Sequence, residues 1–177
     1  FALATDNPVM LEYSQKDTLY VHSDTVKVIT YHLNTDSVYR TAHCYNKVRA
    51  YRTDVQAVCD SLVYNTKDSC MTMYRDPIVW NGERQLLGEE IRVYMKDSTI
   101  DRAHVINQAL SAELMPDKEH YNQLASKEMF AFFTKGQIEE TQAIGNVRSV
   151  YYPVDDKDST LMGLVYIETD TMRMYMK

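Results

Sequence analysis

The chain has 177 residues, of which 45% are apolar, so its length fits one domain spanning residues 1–177 and its composition excludes an intrinsically disordered protein. A formal net charge of −6 argues against nucleic acid as a partner, because nucleic-acid-binding proteins normally carry a basic face. Fourteen tyrosines with many Thr and Val residues favour β-strands, and no apolar run approaches the ~20 residues that a membrane-spanning helix needs. The chain begins at Phe1 without an initiator Met, so we expect a mature or trimmed chain that could have lost a signal peptide or further domains.

One short turn motif recurs along the chain. Asp followed by Thr or Ser, usually after Lys or Thr, occurs at Asp17, Asp36, Asp68, Asp97, Asp158 and Asp170. Asp at the first position of a turn can accept hydrogen bonds from backbone N–H groups two residues on. Residues of high strand propensity flank the motif, as in Leu62-Val63-Tyr64 before Asp68. The motif therefore predicts a strand–turn–strand unit used repeatedly, and such a stacked repeat places function on a long shared surface or groove.

The same unit is visible as an internal repeat. Residues 55–83 and 84–113 align with an offset of 29 residues, so that Cys59-Asp60 matches Gly88-Glu89. Weaker copies open the chain at Ser23 and close it after Gly163. Each half of the unit, about 12–16 residues, accommodates two strands and a tight turn.

Alternation of charged and apolar residues assigns the faces of the predicted strands. In Val26-Lys27-Val28 and in Ile91-Arg92-Val93, the cation points to one side and the two apolar residues point to the other. The last strand places Met172 and Met174 on one face by the same rule. The predicted inner face comprises Val26, Val28, Leu62, Tyr64, Ile91, Val93, Val147, Tyr151, Met172 and Met174.

Other turn signals fill the gaps between these strands. Asn81-Gly82 predicts a hairpin, and Lys135-Gly136 and Gly145-Asn146 predict further turns. Pro77 predicts a strand that begins at an edge or a bulge. Only Met115–Ser126 breaks the β pattern, and its Pro and acidic residues suit the first turn of a helix. We therefore predict one short helix or Ω-type loop near residues 115–126.

Metal-binding and catalytic patterns are weak. The five His residues lack the spacing of a zinc site, and Asp155-Asp156-Lys157-Asp158 lacks the Gly and the distal Glu of an EF-hand, so a solvated turn is the better interpretation. The motifs of common nucleophilic and nucleotide-binding enzymes are absent. Asp60, Glu89 and Glu90 could line a groove as paired carboxylates, but their equivalent repeat positions also have a structural explanation. We expect no enzyme activity, no metal and no cofactor.

The predicted interior leaves two interpretations open. An ordinary β-sandwich core explains the inner apolar residues, whereas the excess of Met, Phe and Tyr suits an open groove that accepts acyl chains. From the pattern alone, the two are nearly even. Cys44, Cys59 and Cys70 are interpreted as small buried residues, and a Cys44–Cys59 bridge between neighbouring strands is allowed but not required.

At its repeats the chain resembles the organic-solvent-tolerance and lipopolysaccharide-transport family, here called OstA/LptA-like. The family's hallmark is a small residue plus an acid that opens a strand, then a short hairpin, then a Gly-Asn-Val strand start. In this chain those elements are Ser23-Asp24-Thr25-Val26, the segment 59–64, the segment 88–94 and Gly145-Asn146-Val147. The resemblance covers most of residues 8–176, and the segment 74–105 looks most like the longer OstA-like envelope proteins.

The resemblance implies an all-β fold, an elongated antiparallel β-jellyroll whose stacked strands form a twisted, two-sheet, V-shaped trough. It implies a periplasmic or cell-envelope location in a Gram-negative bacterium, with lipopolysaccharide or its acyl chains held between the sheets. It also implies end-to-end stacking through exposed terminal strands, as a homo-oligomer or with other lipopolysaccharide-transport envelope proteins. The chain departs from the family pattern in replacing the common Ala at Ser23, Cys59 and Gly88, in placing Glu89 where Asp is common, and in offering only Lys47, Arg49, Arg52 and Arg92 as a basic cluster for lipid phosphates.

Three functional hypotheses follow. The first is a non-catalytic lipopolysaccharide-binding or transport protein that contributes to outer-membrane assembly and uses the predicted inner face to bind lipid. The alternative is an envelope scaffold with a filled core, which recruits partners through its edge strands. The third is a carbohydrate-active β-solenoid that uses the repeat acids.

Overall fold

The computed structural model describes residues 1–12, 18–53, 55–97, 99–135, 137–155, 157 and 160–175. Within these residues the chain is all-β and antiparallel, which confirms the coarse part of the predicted fold, and it contains no helix that could cross a membrane. The strands are β1 (Ala2–Thr5), β2 (Val9–Glu12), β3 (Leu19–His22), β4 (Thr25–Tyr31), β5 (Tyr39–Arg52), β6 (Val55–Asn65), β7 (Cys70–Tyr74), β8 (Ile78–Asn81), β9 (Arg84–Leu87), β10 (Glu90–Lys96), β11 (Thr99–Leu114), β12 (Tyr121–Thr134), β13 (Gln137–Tyr151) and β14 (Val165–Tyr175).

All of these strands belong to one sheet that has two parts. The first half-sheet has the order β1-β4-β5-β6-β7-β10-β11-β12-β13-β14, and the second has the order β2-β3-β5-β6-β8-β9-β11-β12-β13-β14. The long strands β5, β6, β11, β12, β13 and β14 have one end in each half-sheet. Their registers shift at one common level, between Tyr45 and Val48, Ile106 and Ala109, Ala125 and Glu128, and Ile144 and Val147. We call this line of register shifts the corner line.

Pairs of residues with left-handed backbone conformation form the corner line on alternate strands. These pairs, which all have positive φ, are Asp6-Asn7, Asn46-Lys47, Arg75-Asp76, Asn107-Gln108 and Gly145-Asn146. Positive φ is unfavourable for most L-residues, but Asn, Asp and Gly tolerate it best. The intervening strands cross the corner line with one residue each, which by register are Asp24, Asp60, Glu89, Lys127 and Asp170.

A small residue precedes each single corner residue. The position of this small residue faces the closed side of the bend, where there is little space for a side chain. Ser23 and Ser126 are buried, and their hydroxyls donate hydrogen bonds across the bend to the carbonyl oxygens of Thr25 (3.0 Å) and Glu128 (2.8 Å). At Gly88 an added Cβ would lie 2.3 Å from Cγ1 of Val105, so a side chain cannot be accommodated without movement. The small-residue-plus-acid pattern of the sequence therefore marks the corner line.

The corner acids bind the paired corners beside them. The Asp60 carboxylate accepts a hydrogen bond from Arg75 (3.1 Å), and Glu89 accepts hydrogen bonds from Asn107 (3.1 Å) and Gln108 (2.6 Å). The backbone N–H of Glu89 also donates to the carbonyl of Asn107 (3.1 Å). Because the Asp60–Arg75 ion pair and the Glu89 hydrogen bonds are exposed, each contributes only about 0–1 kcal/mol, and their main effect is to fix the geometry of the bend.

The pairings also close six strands, β6, β7, β10, β11, β9 and β8, into a barrel-like ring. The resemblance to a trough did not specify this ring. The ring arises because β6 and β11 cross the corner line as continuous strands and belong to both half-sheets. Between them, β7 pairs with β10 in the first half-sheet and β8 pairs with β9 in the second. β7 reaches β8 through residues 75–77, and β9 reaches β10 through Gly88 and Glu89.

Of the two alternatives predicted near residues 115–126, the helix is wrong, and the loop that is present is shorter than predicted. β12 begins at Tyr121, and residues 115–120 form a tight turn between β11 and β12. The N–H of Met115 donates to the carbonyl of His120 (2.9 Å), and the N–H of Lys118 donates to the carbonyl of Met115 (2.9 Å). The Pro and acidic residues that suggested a helix instead serve this turn, in which Asp117 accepts hydrogen bonds from two backbone N–H groups.

The repeated Asp motif occurs in two structural settings. Asp36, Asp68 and Asp97 lie in connections between strands, as predicted, and Asp68 accepts a hydrogen bond from the N–H of Cys70 (3.3 Å). Asp170 does not end a strand, because it is the single corner residue inside β14; Gly145-Asn146 is likewise a corner inside β13. The motifs at Asp17 and Asp158 lie outside the described residues.

Candidate functional site

The inner faces of the two half-sheets pack into one apolar core along the corner line. In the first half-sheet, direct pairing joins one row of inward residues: Val26, Cys44, Leu62, Met73, Ile91, Val105, Met129, Ala143 and Met172. All of them except the terminal Met172 are buried. Val48, Cys59, Ala109 and Val147 of the second half-sheet belong to the same core cluster. The interior is therefore closed next to the corner line.

Burial decreases with distance from the corner line. The second inward row of the first half-sheet is mostly half-buried and contains Val28, Ala42, Tyr64, Met71, Val93, Ala103, Ala131, Thr141 and Met174. Farther out, Met95, Ile100 and Phe133 are half-buried, and Arg40 and Thr66 are exposed. The interior thus has the form of a wedge that becomes more accessible towards the edges farthest from the corner line, which we call the rims.

Polar residues occupy the rim of the second half-sheet. Its central inward row is largely apolar and includes Val21, Ala57 and Leu124. One step further out, alternation places Arg84 and Glu113 on the same inner side, where Nη2 of Arg84 donates to Oε1 of Glu113 at 2.7 Å. On β9 and β11 the inner surface of this half-sheet therefore changes from apolar to charged at its rim.

Nine of the ten predicted inner-face residues lie in this core or pack against it. Val26, Leu62, Ile91 and Val147 are buried, and the partly buried residues are Val28, Tyr64, Val93, Met172 and Met174. Tyr151 is different: register places it on the inner side of the second half-sheet, but it lies at the rim and its residue surface is 47% exposed. Alternation assigns the face of a residue and carries no information about its distance from the corner line.

Several core residues escaped the sequence prediction. They are Met71, Met73, Val105, Met129 and Ala143, all of which face the interior. A signal for some of them was present, because equal steps outward from the Lys67-Asp68 turn, five before Lys67 and five after Asp68, place Met73 opposite Leu62, as the register shows. Met129 pairs with Ala143 across the β12–β13 hairpin, but the register shift between Phe132 and Phe133 prevents their pairing from being counted along the sequence.

The repeat acids meet outside the corner line and not in the interior. Glu89 and Glu90 line an open cleft of about 650 Å³ together with Tyr74 and Arg75. Each carboxylate is bound to a neighbour, since Glu90 accepts a hydrogen bond from Nε of Arg92 (2.5 Å), and Asp60 and Glu89 bind the corner residues described above. The arrangement gives these acids structural partners. Among the described residues no group of His, Cys, Asp or Glu could hold a metal ion, and the Asp155–Asp158 motif lies partly outside the described residues.

The four basic residues proposed as a phosphate cluster are not brought together. Arg92 points outward on the first half-sheet, whereas Arg49 points outward on the second. Lys47 lies on the corner line, 3.9 Å from Asp24, and Arg52 lies at the inner rim of the second half-sheet. A basic surface built from these four residues is therefore excluded by the fold.

All three thiols are free, so the Cys44–Cys59 bridge is not formed. Cys44 and Cys59 lie on neighbouring strands on opposite sides of the corner line, and both face the core. Burial raises the pKa of Cys44 to about 11 and that of Cys59 to about 12. Because the thiolate is the reactive form, both groups are inert near neutral pH.

The fold and the site define an all-β protein whose single sheet is bent along a corner line around an apolar wedge. Comparison with models of known protein families gives no match, and comparison with curated proteins gives none either. The functional conclusion therefore depends on the wedge and its edges.

Proposed function

We propose that this protein is a non-catalytic β-jellyroll that carries lipopolysaccharide, with the acyl chains held in the trough between its two half-sheets. The decrease in burial from the corner line to the rims supports this function most directly, because it gives the trough a packed floor and an accessible mouth. An acyl chain that lies over Val28, Tyr64 and Val93 would cover apolar surface that is only half-buried without it. Each methylene removed from water contributes about 0.8 kcal/mol.

The chemistry of the rims suits an amphiphile better than a wholly apolar ligand. Met95, Ile100 and Phe133 extend the apolar wall on one side of the mouth, and Arg84 and Glu113 lie on the inner side of the opposite rim. Tails can therefore lie inside while a polar head group remains at the mouth in water. This division of polarity is what a lipopolysaccharide molecule requires of a carrier.

We place this function in the periplasm or cell envelope of a Gram-negative bacterium, following the OstA/LptA-like resemblance. The cysteines are compatible with an oxidising compartment, where exposed thiols form disulfides. Cys44 is fully buried and Cys59 nearly so, and the raised pKa of each thiol keeps it protonated. Both can thus remain reduced without a bridge.

The two ends of the sheet support end-to-end assembly, with a second copy or with related envelope proteins. One end consists of β1 and β2, and the other end consists of β14, which crosses both half-sheets. Apolar residues are exposed at both ends, among them Leu3 and Val9 at the first end and Val165 and Tyr166 at the second. Unpaired strand edges with exposed apolar residues favour strand addition.

The ends also match in direction and in corner type. β1 and β2 run from the first half-sheet to the second, and β14 runs from the second to the first, so an antiparallel ladder continues when β14 meets β1 and β2 of the next copy. Single and paired corners alternate along the sheet, and the same contact places the single corner Asp170 beside the paired corner Asp6-Asn7. The stack would therefore continue the pattern of the sheet without a break.

Site-specific photocrosslinking tests the lipid-binding function. A photoreactive residue at Val93, which is half-buried and faces inward, should capture added lipopolysaccharide. The neighbouring Arg92 faces outward and provides a matched control that should capture little. Leu62 and Ile91 are fully buried beside the corner line, so they should capture less lipid than Val93. Equal capture at Val93 and Arg92, or no lipid detected with the purified protein by native mass spectrometry, would contradict the proposal.

The alternative function is a scaffold with a filled core. The continuous burial of the row from Val26 to Ala143 favours it, since that part of the interior has no room for a ligand. In this case neither Val93 nor Arg92 should capture lipid, while assembly through the end strands should persist. The two functions therefore differ in one measurement, lipid capture at the second inward row.

A further inference from the structure

The two rims of the trough differ in polarity along the same strands. β11, β12 and β13 cross both half-sheets, and at the rim of the first half-sheet their inward residues are apolar. These residues, with their neighbour on β10, are Met95, Ile100, Phe133 and Ile138. At the rim of the second half-sheet the inward row is polar on β8, β9, β11, β12 and β13. We call this row the polar strip; it consists of Asn81, Arg84, Glu113, Asn122 and Tyr151.

The polar strip presents donors and acceptors side by side, and its charges are paired. Nη2 of Arg84 lies 2.7 Å from Oε1 of Glu113, and both side chains are partly exposed. This contact uses one nitrogen of the guanidinium and one oxygen of the carboxylate, so the other N–H groups and Oε2 of the same pair can bind a ligand. Oδ1 of Asn122 accepts a hydrogen bond from the N–H of Tyr152 (2.9 Å), which leaves the NH₂ group as a donor. Tyr151 is 47% exposed and adds a hydroxyl group and a flat ring face.

We propose that the polar strip binds the hydroxyl groups of a saccharide, so that the protein selects glycolipids over other lipids with the same acyl chains. This inference rests on the proposed lipid-carrying function, because the strip borders the trough. A sugar hydroxyl both donates and accepts hydrogen bonds, and the strip contains both kinds of partner. A phosphate group accepts hydrogen bonds and carries negative charge, so the carboxylate of Glu113 beside Arg84 would repel it. Lys118 in the adjacent β11–β12 turn is likewise paired, with Oε1 of Glu83 at 2.5 Å.

The two rims together set the orientation of such a ligand. With the saccharide at the polar strip, the acyl chains lie against the half-buried apolar rows of the first half-sheet and reach towards Met95 and Phe133. The inverted orientation would place sugar hydroxyls against Ile100 and Phe133 and acyl chains against the ion pair of the strip. It would therefore remove polar groups from water without new hydrogen bonds, which is costly. The head group accordingly binds at the second half-sheet and the tails at the first.

Two detergents with the same acyl tail test the selection. Dodecyl maltoside carries a disaccharide, and dodecylphosphocholine carries a phosphate and a quaternary ammonium group. Isothermal titration calorimetry with the full chain, below the concentrations at which micelles form, measures the affinity for each. We expect the parent protein to bind the maltoside about tenfold more tightly, because only its head group makes hydrogen bonds with both members of the Arg84–Glu113 pair.

The double variant Arg84→Ala/Glu113→Ala should remove this preference. Its affinity for the maltoside should fall by about tenfold. Its affinity for dodecylphosphocholine should be unchanged, which also shows that the trough is still folded. The matched control is Arg148→Ala/Glu168→Ala, which removes an ion pair of the same composition from the outer side of the same half-sheet. This control should keep the preference of the parent protein.

A maltoside with a photoreactive diazirine at the end of its tail tests the orientation. Mass spectrometry should locate the label at the rim of the first half-sheet, on residues such as Met95 and Phe133, and not on Tyr151 of the polar strip. A label on the strip would overturn the proposed orientation and the inference with it.

The remaining outcomes separate this inference from the function on which it rests. A parent protein that binds neither detergent would contradict the lipid-carrying function, and the inference would fall with it. Binding of both detergents without a preference, or a preference that persists in Arg84→Ala/Glu113→Ala, would overturn the inference alone. A preference for dodecylphosphocholine that this variant loses would also overturn it, because the strip would then recognise phosphate.

Discussion

At the scale of single residues, the corner line depends on side chains that are small enough to lie inside a bend. Gly88 is the clearest case, because Val105 occupies the space that a Cβ would need. We expect Gly88→Ala to lower the free energy of unfolding by about 1–3 kcal/mol, as overpacking in a rigid core does. Urea denaturation followed by circular dichroism measures this change.

The companion substitution Val105→Ala supplies the control for Gly88→Ala. It removes the Cγ1 atom that the new Cβ would meet, so the double variant should be more stable than the sum of the two single effects predicts. Coupling between contacting residues is commonly about 0.5–3 kcal/mol. Strictly additive effects would show that Val105 is not the residue that excludes a side chain at position 88.

Asp117 links a single turn to the pH dependence of stability. Its carboxylate accepts hydrogen bonds from the N–H groups of Glu119 (3.0 Å) and His120 (3.1 Å) and contacts the His120 ring at 2.6 Å, which together lower its pKa from 3.8 to about 2. Because the pKa in the folded state lies below that of the unfolded state, the stabilisation is complete above about pH 4 and is lost as the pH falls towards 2.

Replacement of Asp117 should therefore matter least in acid. We expect Asp117→Ala to lower the thermal unfolding midpoint at pH 7 and to approach the parent protein between pH 4 and pH 2. Thermal scans across this range measure the difference, and Asp36→Ala in the exposed β4–β5 loop is the matched control. A difference that stays constant down to pH 2 would show that the carboxylate does not stabilise the turn through its charge.

At the scale of elements, the proposed end-to-end assembly depends on the end strands. Ala4 lies on the inner side of β1, in the row that contains Val26, and it is exposed because β1 is an edge. In an end-to-end stack Ala4 would lie beside Met172 of the next copy. Ala4→Lys should therefore weaken association at least tenfold by sedimentation velocity, since a charged group would be buried in the contact.

Thr5→Lys is the control for the edge strand. Thr5 also lies on β1 and is exposed, but alternation points it outward, where a stacked copy leaves it in water. The Thr5→Lys protein should assemble as the parent does. If both variants assemble equally well, the ends of this sheet are not the surfaces through which copies associate.

The elements also show what the sequence could and could not reveal. Strand propensity and Asp turns were enough to predict an all-β repeat, and the charge alternation at Lys27 and Arg92 assigned the correct faces. The bends were hidden, because Asn46-Lys47 and Asn107-Gln108 adopt positive φ inside strands without a Gly to mark them. The helix near residue 116 was wrong, since local signals of Pro and acids suit a capped turn equally well.

At the scale of the whole molecule, the proposed lipid binding would raise the stability of the folded protein. A ligand that binds only the folded state at one hundred times its dissociation constant stabilises it by about 2.7 kcal/mol. For a chain of this length, that change corresponds to an increase in the unfolding temperature of roughly 5–10 °C. We expect added lipopolysaccharide to produce an increase of this size, measured by differential scanning fluorimetry.

A charge placed in the trough should remove this response. Val93→Asp changes the inner wall, whereas Arg92→Asp changes the outer face of the same strand. The increase with lipopolysaccharide should be lost in the first variant and kept in the second, whatever their unfolding temperatures without lipid. An equal increase in both variants would place the lipid somewhere other than between the half-sheets.

The alternation of corners has a consequence for how proteins of this design can grow. A strand with a single corner and its antiparallel neighbour with a paired corner together return the chain to its original direction. This two-strand module is therefore the smallest segment that a gene duplication could add without reversing the direction of every following strand. Neighbouring strands are about 4.8 Å apart, and each inserted module would lengthen the body by roughly 10 Å. The length of such a protein could thus evolve in uniform increments of one module.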